Sequence, residues 1–111
     1  MAGEFVYFTI GVEDSERARA FYGGLFGWGF EPGNVADGFL IQGASPPGGI
    51  QGGGSTRGFR LYFQVEDIEA AASRVREMGG EAGMVKSSAA GSYADCRDNQ
   101  GHEFSLFAPP R

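Results

Sequence analysis

The feature of this sequence that most constrains its fold is an internal repeat. Val12-Glu13-Asp14 recurs as Val65-Glu66-Asp67, which is a shift of 53 residues (66 − 13 = 53), and at the same shift Glu16 matches Glu69. An aromatic, strand-like run precedes each copy, and a helix-like run follows it. Because the period is about half of the 111 residues, we interpret the chain as a duplicated supersecondary unit rather than a solenoid of many short repeats.

The first copy predicts one helix and four strands. Glu4 to Val12 is apolar on both alternating faces, which is typical of a covered strand. Asp14 is placed to cap a helix over residues 15–25, with Ala18, Phe21, Tyr22 and Leu25 facing inward. The remaining strands are predicted at Phe26–Phe30, Gly38–Gln42 and Gly49–Gly52.

The second copy follows a Gly-rich and Ser-rich linker over residues 52–58 and repeats the pattern. Asp67 is placed to cap a helix over residues 68–78, with Ala71, Val75 and Met78 inward. Strands are predicted at 59–65, 81–85, 93–97 and 103–107, with a hairpin turn at 98–101. The order βαβββ, given twice, predicts a single α+β domain over residues 1–111, with modules at 4–52 and 58–108.

Bulk properties exclude several classes of partner. The net charge of −5 argues against nucleic acid or an anionic membrane as the main partner. A single cysteine, Cys96, excludes an intramolecular disulfide framework. No apolar run approaches the ~20 residues of a membrane span, and residues 1–4 have no signal-peptide character. We therefore expect a cytoplasmic protein.

Two segments carry a resemblance to a known superfamily. Residues 12–18, followed by Phe21-Tyr22 and Phe26-Gly27-Trp28, resemble the first module of glyoxalase-like proteins, and residues 98–106 resemble the closing hairpin of that family. The sequence is thus similar to the vicinal-oxygen-chelate (glyoxalase/bleomycin-resistance) superfamily over essentially its whole length. The resemblance implies two βαβββ modules forming curved mixed sheets around a ligand cleft, and a homodimer.

The resemblance also implies where a metal would be held in the enzymes of the superfamily, which use His and Glu side chains. The corresponding positions here fall on Tyr7, Arg60 and Ser105, and the fourth has an uncertain register. No Asp or Glu occurs from residue 38 to 65, and the sole histidine, His102, belongs to a turn. Since Zn²⁺ and similar metals need several converging donors, we predict a metal-free protein with no cofactor.

Side chains two residues apart on a strand point in the same direction, so the neighbours of the positions implied by the resemblance should face the same cleft. Together these side chains form a predicted pocket. Its polar and aromatic members have the usual character of a small-molecule site. The predicted ligand-binding residues are Tyr7, Thr9, Trp28, Phe39, Gln42, Gln51, Arg60, Tyr62, Gln64, Ser105 and Phe107.

Some residues admit a structural interpretation instead. Trp28 fits a core position as well as a pocket position, and Arg60 fits a surface or dimer ion pair. We expect Phe8, Phe21, Phe63 and Phe104 to be core residues and Cys96 to be a buried structural thiol. Asp95 and Glu103 are candidates for acid or base work, but no paired geometry follows from the sequence.

These observations favour a protein that binds an apolar or aromatic small molecule without changing it, as the antibiotic-sequestering members of the superfamily do. The alternative is a metal-independent enzyme of the lyase or isomerase type, using Arg60, Tyr7 or Glu103. A metalloenzyme with a displaced metal site and a protein-interaction module with a vestigial pocket are the remaining hypotheses. The fold alone does not choose among them.

Overall fold

The computed structural model describes residues 3–110 and divides them into two compact units. The N-terminal unit is Tyr7–Arg60, and the C-terminal unit is residues 3–6 together with 61–110. Each unit combines strands with one helix, so the predicted α+β class is confirmed. In the part of the chain that the structure describes, neither helix has both the length and the apolar character that crossing a membrane would require.

The N-terminal unit places four strands in the order β2-β3-β4-β1. β1 and β4 run parallel, whereas β4, β3 and β2 are antiparallel neighbours. This order follows from short turns joining β2 to β3 and β3 to β4, while α1 makes the longer crossover from β1. The elements are β1 (Glu4–Gly11), α1 (Ser15–Phe26), β2 (Gly29–Pro32), β3 (Gly38–Gln42) and β4 (Gly48–Gln51).

The C-terminal unit repeats this arrangement with one more strand. Its order is β5-β9-β8-β6, with β5 and β9 parallel, and β7 also pairs with β8. The elements are β5 (Gly58–Gln64), α2 (Ile68–Glu77), β6 (Glu81–Ala82), β7 (Lys86–Ser88), β8 (Gly91–Arg97) and β9 (Glu103–Ala108).

A β-bulge explains the extra strand. The sequence predicts one strand over residues 81–85, but pairing with β8 stops after Ala82↔Cys96 and resumes at Lys86↔Tyr93. Three residues, 83–85, therefore stand opposite two, 94–95, so this segment contains the one extra residue that characterises a bulge. The Gly83 N–H still donates to the Asp95 carbonyl at 2.8 Å, so the bulged segment stays hydrogen-bonded to β8.

Both predicted helix starts are confirmed. The Asp14 carboxylate accepts from the Arg17 N–H at 3.1 Å, and the Asp67 carboxylate accepts from the Ala70 N–H at 3.1 Å. Each bond satisfies a donor that the first helical turn leaves without a partner. α1 ends at Gly27, whose left-handed φ of 74° lets its N–H donate to the Gly23 carbonyl. The predicted strand at 26–30 is therefore wrong at its start, because Phe26 is still helical.

Each unit has its own apolar cluster between its helix and its strands. In the N-terminal unit the cluster consists of Phe8, Ile10, Ile41 and Ile50, with Ala18 and Tyr22 of α1 packed against it. In the C-terminal unit it consists of Val65, Ile68, Ala94, Cys96, Leu106 and Ala108, with Ala71, Val75 and Phe104 packed against it. The predicted burial of Phe8 and of the Cys96 thiol is confirmed.

Three residues predicted to face inward are exposed instead. Phe21 is 62% exposed, Leu25 60% and Met78 63%. In α1 only the narrow stripe of Ser15, Ala18 and Tyr22 is buried or packs on the core, so Phe21 and Leu25 fall outside it. Met78 is the C-cap of α2 and lies beyond its last helical turn.

Gly48 is required by the packing of Phe8. A Cβ built on Gly48 would lie 2.4–2.7 Å from three atoms of the Phe8 ring, well inside van der Waals contact. We therefore expect Gly48→Ala to lower the free energy of unfolding by roughly 1–3 kcal/mol, the usual range for overpacking a core. Urea unfolding measures the change. Gly54→Ala is the matched control, because a Cβ there meets no described atom within 4 Å; an equal loss in both variants would contradict this account.

The turn between β8 and β9 contains a carboxylate whose pKa is lower in the folded protein than in the unfolded chain. The backbone N–H of His102, and next that of Gln100, donate to Asp98 Oδ1 at 2.9 Å and 2.8 Å and hold the pKa of Asp98 below its ordinary value. The Nδ1 atom of His102 lies 3.2 Å from Oδ2 and adds a smaller effect in the same direction. Because the folded pKa is depressed, the stabilisation is present above the unfolded pKa of ~3.9 and is lost as the pH falls through the folded value.

We accordingly expect Asp98→Asn to be less stable than the wild type at pH 7. The difference should shrink as the pH falls below about 4, where the unfolded-state carboxyl begins to bind its proton. Melting temperatures measured from pH 7 to pH 2 test this. Gln100→Ala keeps the backbone donor and should show no such pH-dependent difference. A constant difference between wild type and Asp98→Asn at every pH would remove the electrostatic explanation.

Candidate functional site

The strands of each unit have one face that carries the apolar cluster under the helix and one that does not. We call the second the open face. In the C-terminal unit Ala94, Cys96 and Leu106 belong to the cluster. Because side chains alternate along a strand, their neighbours lie on the open face: Tyr93, Asp95 and Arg97 from β8, Glu103, Ser105 and Phe107 from β9, and Tyr62 and Gln64 from β5.

The register arranges these side chains in rows across the strands. Gln64, Phe107 and Tyr93 are opposite one another, as are Tyr62, Ser105 and Asp95. Opposite residues on one face have Cβ atoms ~5 Å apart and therefore interact. The open face thus has an aromatic row next to a row of hydroxyls and a carboxylate. This combination of apolar walls and a few oriented polar groups is typical of small-molecule sites.

A short hydrogen bond orients the carboxylate of this face. Ser105 Oγ donates to Asp95 Oδ1 at 2.6 Å, and Ser105 itself is fully buried, with 0% of its surface exposed. The Asp95 side chain lies at the exposed end of the pair. Hydrogen bonds to an ionised acceptor are stronger than those between neutral groups. Ser105 therefore acts as an anchor that holds the Asp95 carboxylate in one orientation.

Charged side chains border the two rows. Arg97 Nη2 lies 3.2 Å from Glu103 Oε2, with both side chains about half exposed, so the pair adds little stability. At the other end, Lys86 Nζ lies 5.8 Å from the centroid of the Tyr93 ring, at the outer range of a cation–π contact. Both cations lie next to the aromatic and carboxylate rows without occupying them.

Four of the predicted ligand-binding residues share the open face of the N-terminal unit. The cluster residues Phe8, Ile10, Ile41 and Ile50 point to α1, so Tyr7, Thr9, Gln42 and Gln51 point away from it. The Tyr7 hydroxyl lies over Gly49, where a Cβ would stand 3.0 Å from it, and the Gln42 side chain lies over Gly29 in the same way. Two glycines therefore let these polar side chains lie flat on the sheet.

The structure separates two predicted residues from that set. Trp28 packs in the apolar cluster of the N-terminal unit, with its ring 4.9 Å from that of Phe26 and 6.1 Å from that of Phe8. Phe39 pairs with the core residue Ile50, and its ring lies 3.8 Å below the Arg19 guanidinium of α1. Both side chains are on the helix side. Arg60 lies in β5 and is partly buried.

The side chains at the positions implied by the resemblance are not the donors that a divalent metal needs. Tyr7 and Ser105 offer hydroxyls, that of Ser105 is committed to Asp95, and Arg60 is a cation. Among residues 3–110 no three His, Cys, Asp or Glu side chains are grouped so that they could hold a metal ion. The residues present therefore do not fit the divalent metal of the superfamily enzymes.

Sequence reasoning missed part of this face. Tyr93, Arg97 and Lys86 were absent from the predicted pocket, and Asp95 was considered only as an isolated acid. The signal was available in the alternation of the β8 strand, where Tyr93, Asp95 and Arg97 alternate with Ala94 and Cys96. What the sequence could not provide was the register that brings Asp95 opposite Ser105.

A separate cavity of about 360 Å³ opens at the start of α2 in the C-terminal unit. Carboxylates of Glu66, Asp67 and Glu69 and hydroxyls of Ser87, Ser88 and Ser92 lie around it. None of the predicted ligand-binding residues lines it, and Asp67 is already engaged as the α2 cap.

Comparison with known protein families settles the superfamily. A family model described as a glyoxalase-like domain matches residues 7–107. The chain belongs to the glyoxalase-like domain family. The match spans most of both βα repeats, so the resemblance seen in residues 12–18 and 98–106 is confirmed as family membership. No curated protein matches the sequence.

Solved structures show that the glyoxalase-like fold is shared with proteins of different activities. Methylmalonyl-CoA epimerase from Mycobacterium tuberculosis is 18% identical, with a TM-score of 0.72 over 98% of this chain and 89% of the epimerase. A glyoxalase/bleomycin resistance protein/dioxygenase superfamily member from Vibrio splendidus 12B01 is 17% identical, with a TM-score of 0.68 over 92% and 96%.

A third similar structure is 2,2',3-trihydroxybiphenyl 1,2-dioxygenase from Sphingomonas wittichii strain RW1. It is 17% identical, with a TM-score of 0.70 over all of this chain and 42% of the dioxygenase. At these identities the likeness concerns the fold alone. An epimerase and a dioxygenase on one fold also show why the site, not the architecture, must carry the functional argument for this glyoxalase-like protein.

Proposed function

We propose that this glyoxalase-like protein binds an aromatic small molecule on the open face of its C-terminal unit and releases it unchanged, without a metal. One observation carries the proposal. The aromatic side chains Phe107 and Tyr93 stand in one row, and the Asp95 carboxylate, anchored by the buried Ser105 hydroxyl, stands in the next. The first row offers ring surfaces for stacking, and the second offers one oriented acceptor.

The chemistry of the face defines the class of ligand. A planar ring stacks favourably on Tyr93 and Phe107, and a phenolic hydroxyl or an amine on that ring can donate to Asp95. The net charge of −5 favours neutral or cationic ligands over anionic ones. The donor set supports the absence of a metal from the site, since hydroxyls and a guanidinium stand where the superfamily enzymes need imidazole and carboxylate groups.

The alternative is a metal-independent enzyme of the lyase or isomerase type. The observation that favours it is the same Asp95–Ser105 bond, because an oriented carboxylate can also take up a proton. Glu103, the other acid considered from the sequence, is paired with Arg97. The two functions differ in what is recovered after binding, since an enzyme returns a rearranged or cleaved compound.

Ligand binding can be tested with a panel of planar aromatic phenols and amines. A true ligand present at 100 times its Kd should stabilise the fold by about 2.7 kcal/mol, which a thermal-shift assay detects. Mass spectrometry and chiral chromatography of the recovered compound then separate binding from catalysis. Altered product would favour the enzyme, and no stabilisation by any member would contradict the ligand class.

Variants of the open face locate the binding site. We expect Tyr93→Ala to weaken binding of a hit by about tenfold through the loss of stacking. We expect Asp95→Asn to weaken it by roughly ten- to a hundredfold through the loss of a charged acceptor. Met84→Ala is the control, because Met84 is 80% exposed in the bulge and belongs to neither row. Equal affinities in all four proteins would place the binding site elsewhere.

Metal content tests the metal-free part of the proposal separately. Untagged protein would be incubated with Zn²⁺, Ni²⁺, Mn²⁺ or Fe²⁺, desalted and subjected to elemental analysis. We expect less than about a tenth of an equivalent in each case, because real sites hold their metals tightly. A stoichiometric metal would overturn the assignment of Tyr7, Arg60 and Ser105 to the superfamily's ligand positions.

A further inference from the structure

One basic side chain beside the C-terminal open face has no acidic partner. Lys86, the sole lysine of the sequence, forms no ion pair with any of residues 3–110. Its Nζ instead lies 5.8 Å from the centroid of the Tyr93 ring. The other cation of this border, Arg97, is paired with Glu103 at 3.2 Å. Lys86 therefore brings to the face a positive charge that no described carboxylate neutralises.

The strand pairing places this lysine at the end of the aromatic row. β7 resumes its pairing with β8 at Lys86↔Tyr93, and opposite residues of an antiparallel pair point to the same face. The row therefore runs across three strands as Phe107, Tyr93 and Lys86. Lysines at sheet edges commonly prevent pairing with other chains. This one also lies where a ring stacked on Tyr93 would meet its ammonium group.

Two charged groups border the aromatic row in different directions. Lys86 lies beyond Tyr93 across the strands, whereas Asp95 is two residues farther along β8, or about 7 Å. The two directions are roughly perpendicular, because the hydrogen bonds that join antiparallel strands run perpendicular to the strands. A ring stacked on Tyr93 and Phe107 therefore has a cation beyond one edge and a carboxylate beyond another, about a quarter turn away.

We propose that Lys86 makes this face selective for aromatic zwitterions, in which a planar ring bears a carboxylate that pairs with Lys86 and an ammonium group that donates to Asp95. The inference rests on the proposed function, because it specifies the ligand of the same open face. A carboxylate accepts several hydrogen bonds at once, so the bond from Ser105 is compatible with a ligand donor on Asp95. A zwitterion has no net charge, so the protein's net charge of −5 does not repel it.

The two opposite charges select a ligand by rejection as well as by attraction. An aromatic amine without a carboxylate leaves the Lys86 charge without a partner, and an aromatic acid without an amine brings a like charge to Asp95. Like charges placed together lower the affinity for the wrong ligand. The quarter turn between the two groups also favours one ring geometry. Meta substituents come closer to it than para substituents, which point in opposite directions.

Three small probes test this selectivity. Meta-(aminomethyl)benzoic acid carries both charged groups, meta-(aminomethyl)benzamide replaces the carboxylate with a neutral amide, and para-(aminomethyl)benzoic acid moves the carboxylate across the ring. Probes of this size bind in the micromolar to millimolar range, so NMR titration of the full chain measures their Kd values. We expect the meta acid to bind about two- to fivefold more tightly than its amide, the size of an ion pair with an exposed partner, and more tightly than the para acid.

Substitution of Lys86 separates its charge from its packing. Lys86→Gln should weaken binding of the meta acid about two- to fivefold and leave binding of the amide unchanged. Lys86→Arg keeps the charge and should keep the preference for the acid, and added salt should reduce that preference in the wild type. Arg74→Gln is the matched control, because it also removes one positive charge, from an exposed side chain of α2. A role of Lys86 in packing alone would change the affinities for acid and amide equally.

The presence of a single lysine provides a direct readout at the site. Reductive methylation with isotope-labelled formaldehyde keeps the positive charge and labels only Lys86 and the N-terminal amine. We expect saturating meta acid to shift the methyl signal of Lys86 more than saturating amide does. Equal shifts with acid and amide would contradict an ion pair between Lys86 and the ligand.

Failure of this inference is distinguishable from failure of the proposed function. If Tyr93→Ala weakens binding of every probe but the acid and the amide bind equally well, the face binds aromatic ligands without selection by Lys86. If Lys86→Gln aggregates yet keeps the preference for the acid, the lysine only protects the edge of β7. Tighter binding of the para acid would overturn the placement of the two charges. If no probe binds, or if Tyr93→Ala has no effect, the proposed function fails and this inference fails with it.

Discussion

The burial of one alternating set of side chains against α2 is the constraint on which the candidate site depends. Ala94, Cys96 and Leu106 are nearly inaccessible to solvent and pack beneath the helix. Because the period of a strand is two residues, committing these positions to the core commits Tyr93, Asp95 and Ser105 to the other face. A slip of one residue would exchange the two sets and bury a carboxylate, which is costly without a partner. The core therefore determines the chemistry of the open face.

That chemistry differs from what the superfamily's architecture first suggests. The positions that the resemblance assigns to the metal ligands of the superfamily's enzymes carry a tyrosine, an arginine and a serine, and the serine orients a carboxylate. The open face of the C-terminal unit is thus a set of aromatic surfaces with one fixed acceptor. The fold itself is shared with an epimerase and a dioxygenase, so it accommodates different sets of side chains on the same strands.

Much of the fold could be predicted because it depends on short-range signals. Asp14 and Asp67 precede apolar periodic runs, and local hydrogen bonding alone makes them helix caps. The alternation in β1 and β9 likewise identified Tyr7, Thr9, Ser105 and Phe107 as sharing a direction within their strands. What the sequence left open or missed concerns tertiary context. Trp28 and Phe39 are aromatic residues next to polar ones, and only their contacts with Phe8, Phe26 and Arg19 show that they lie on the helix side. Phe21 and Leu25 have helical spacing, but the stripe that α1 buries is too narrow to include them.

The bulge at residues 83–85 bears on how the length of this segment can change during evolution. If β7 continued the register of β6, Lys86 would stand opposite Ser92, in line with Ala82 and Cys96 on the helix side. The one extra residue in the bulge shifts this register, so Lys86 stands opposite Tyr93 and places its cation beside the aromatic row. Loss of one residue from 83–85 would leave two residues opposite two, and Lys86 would still pair with Tyr93. Descendants of this sequence could therefore shorten the segment by one residue and keep the positive charge beside the site.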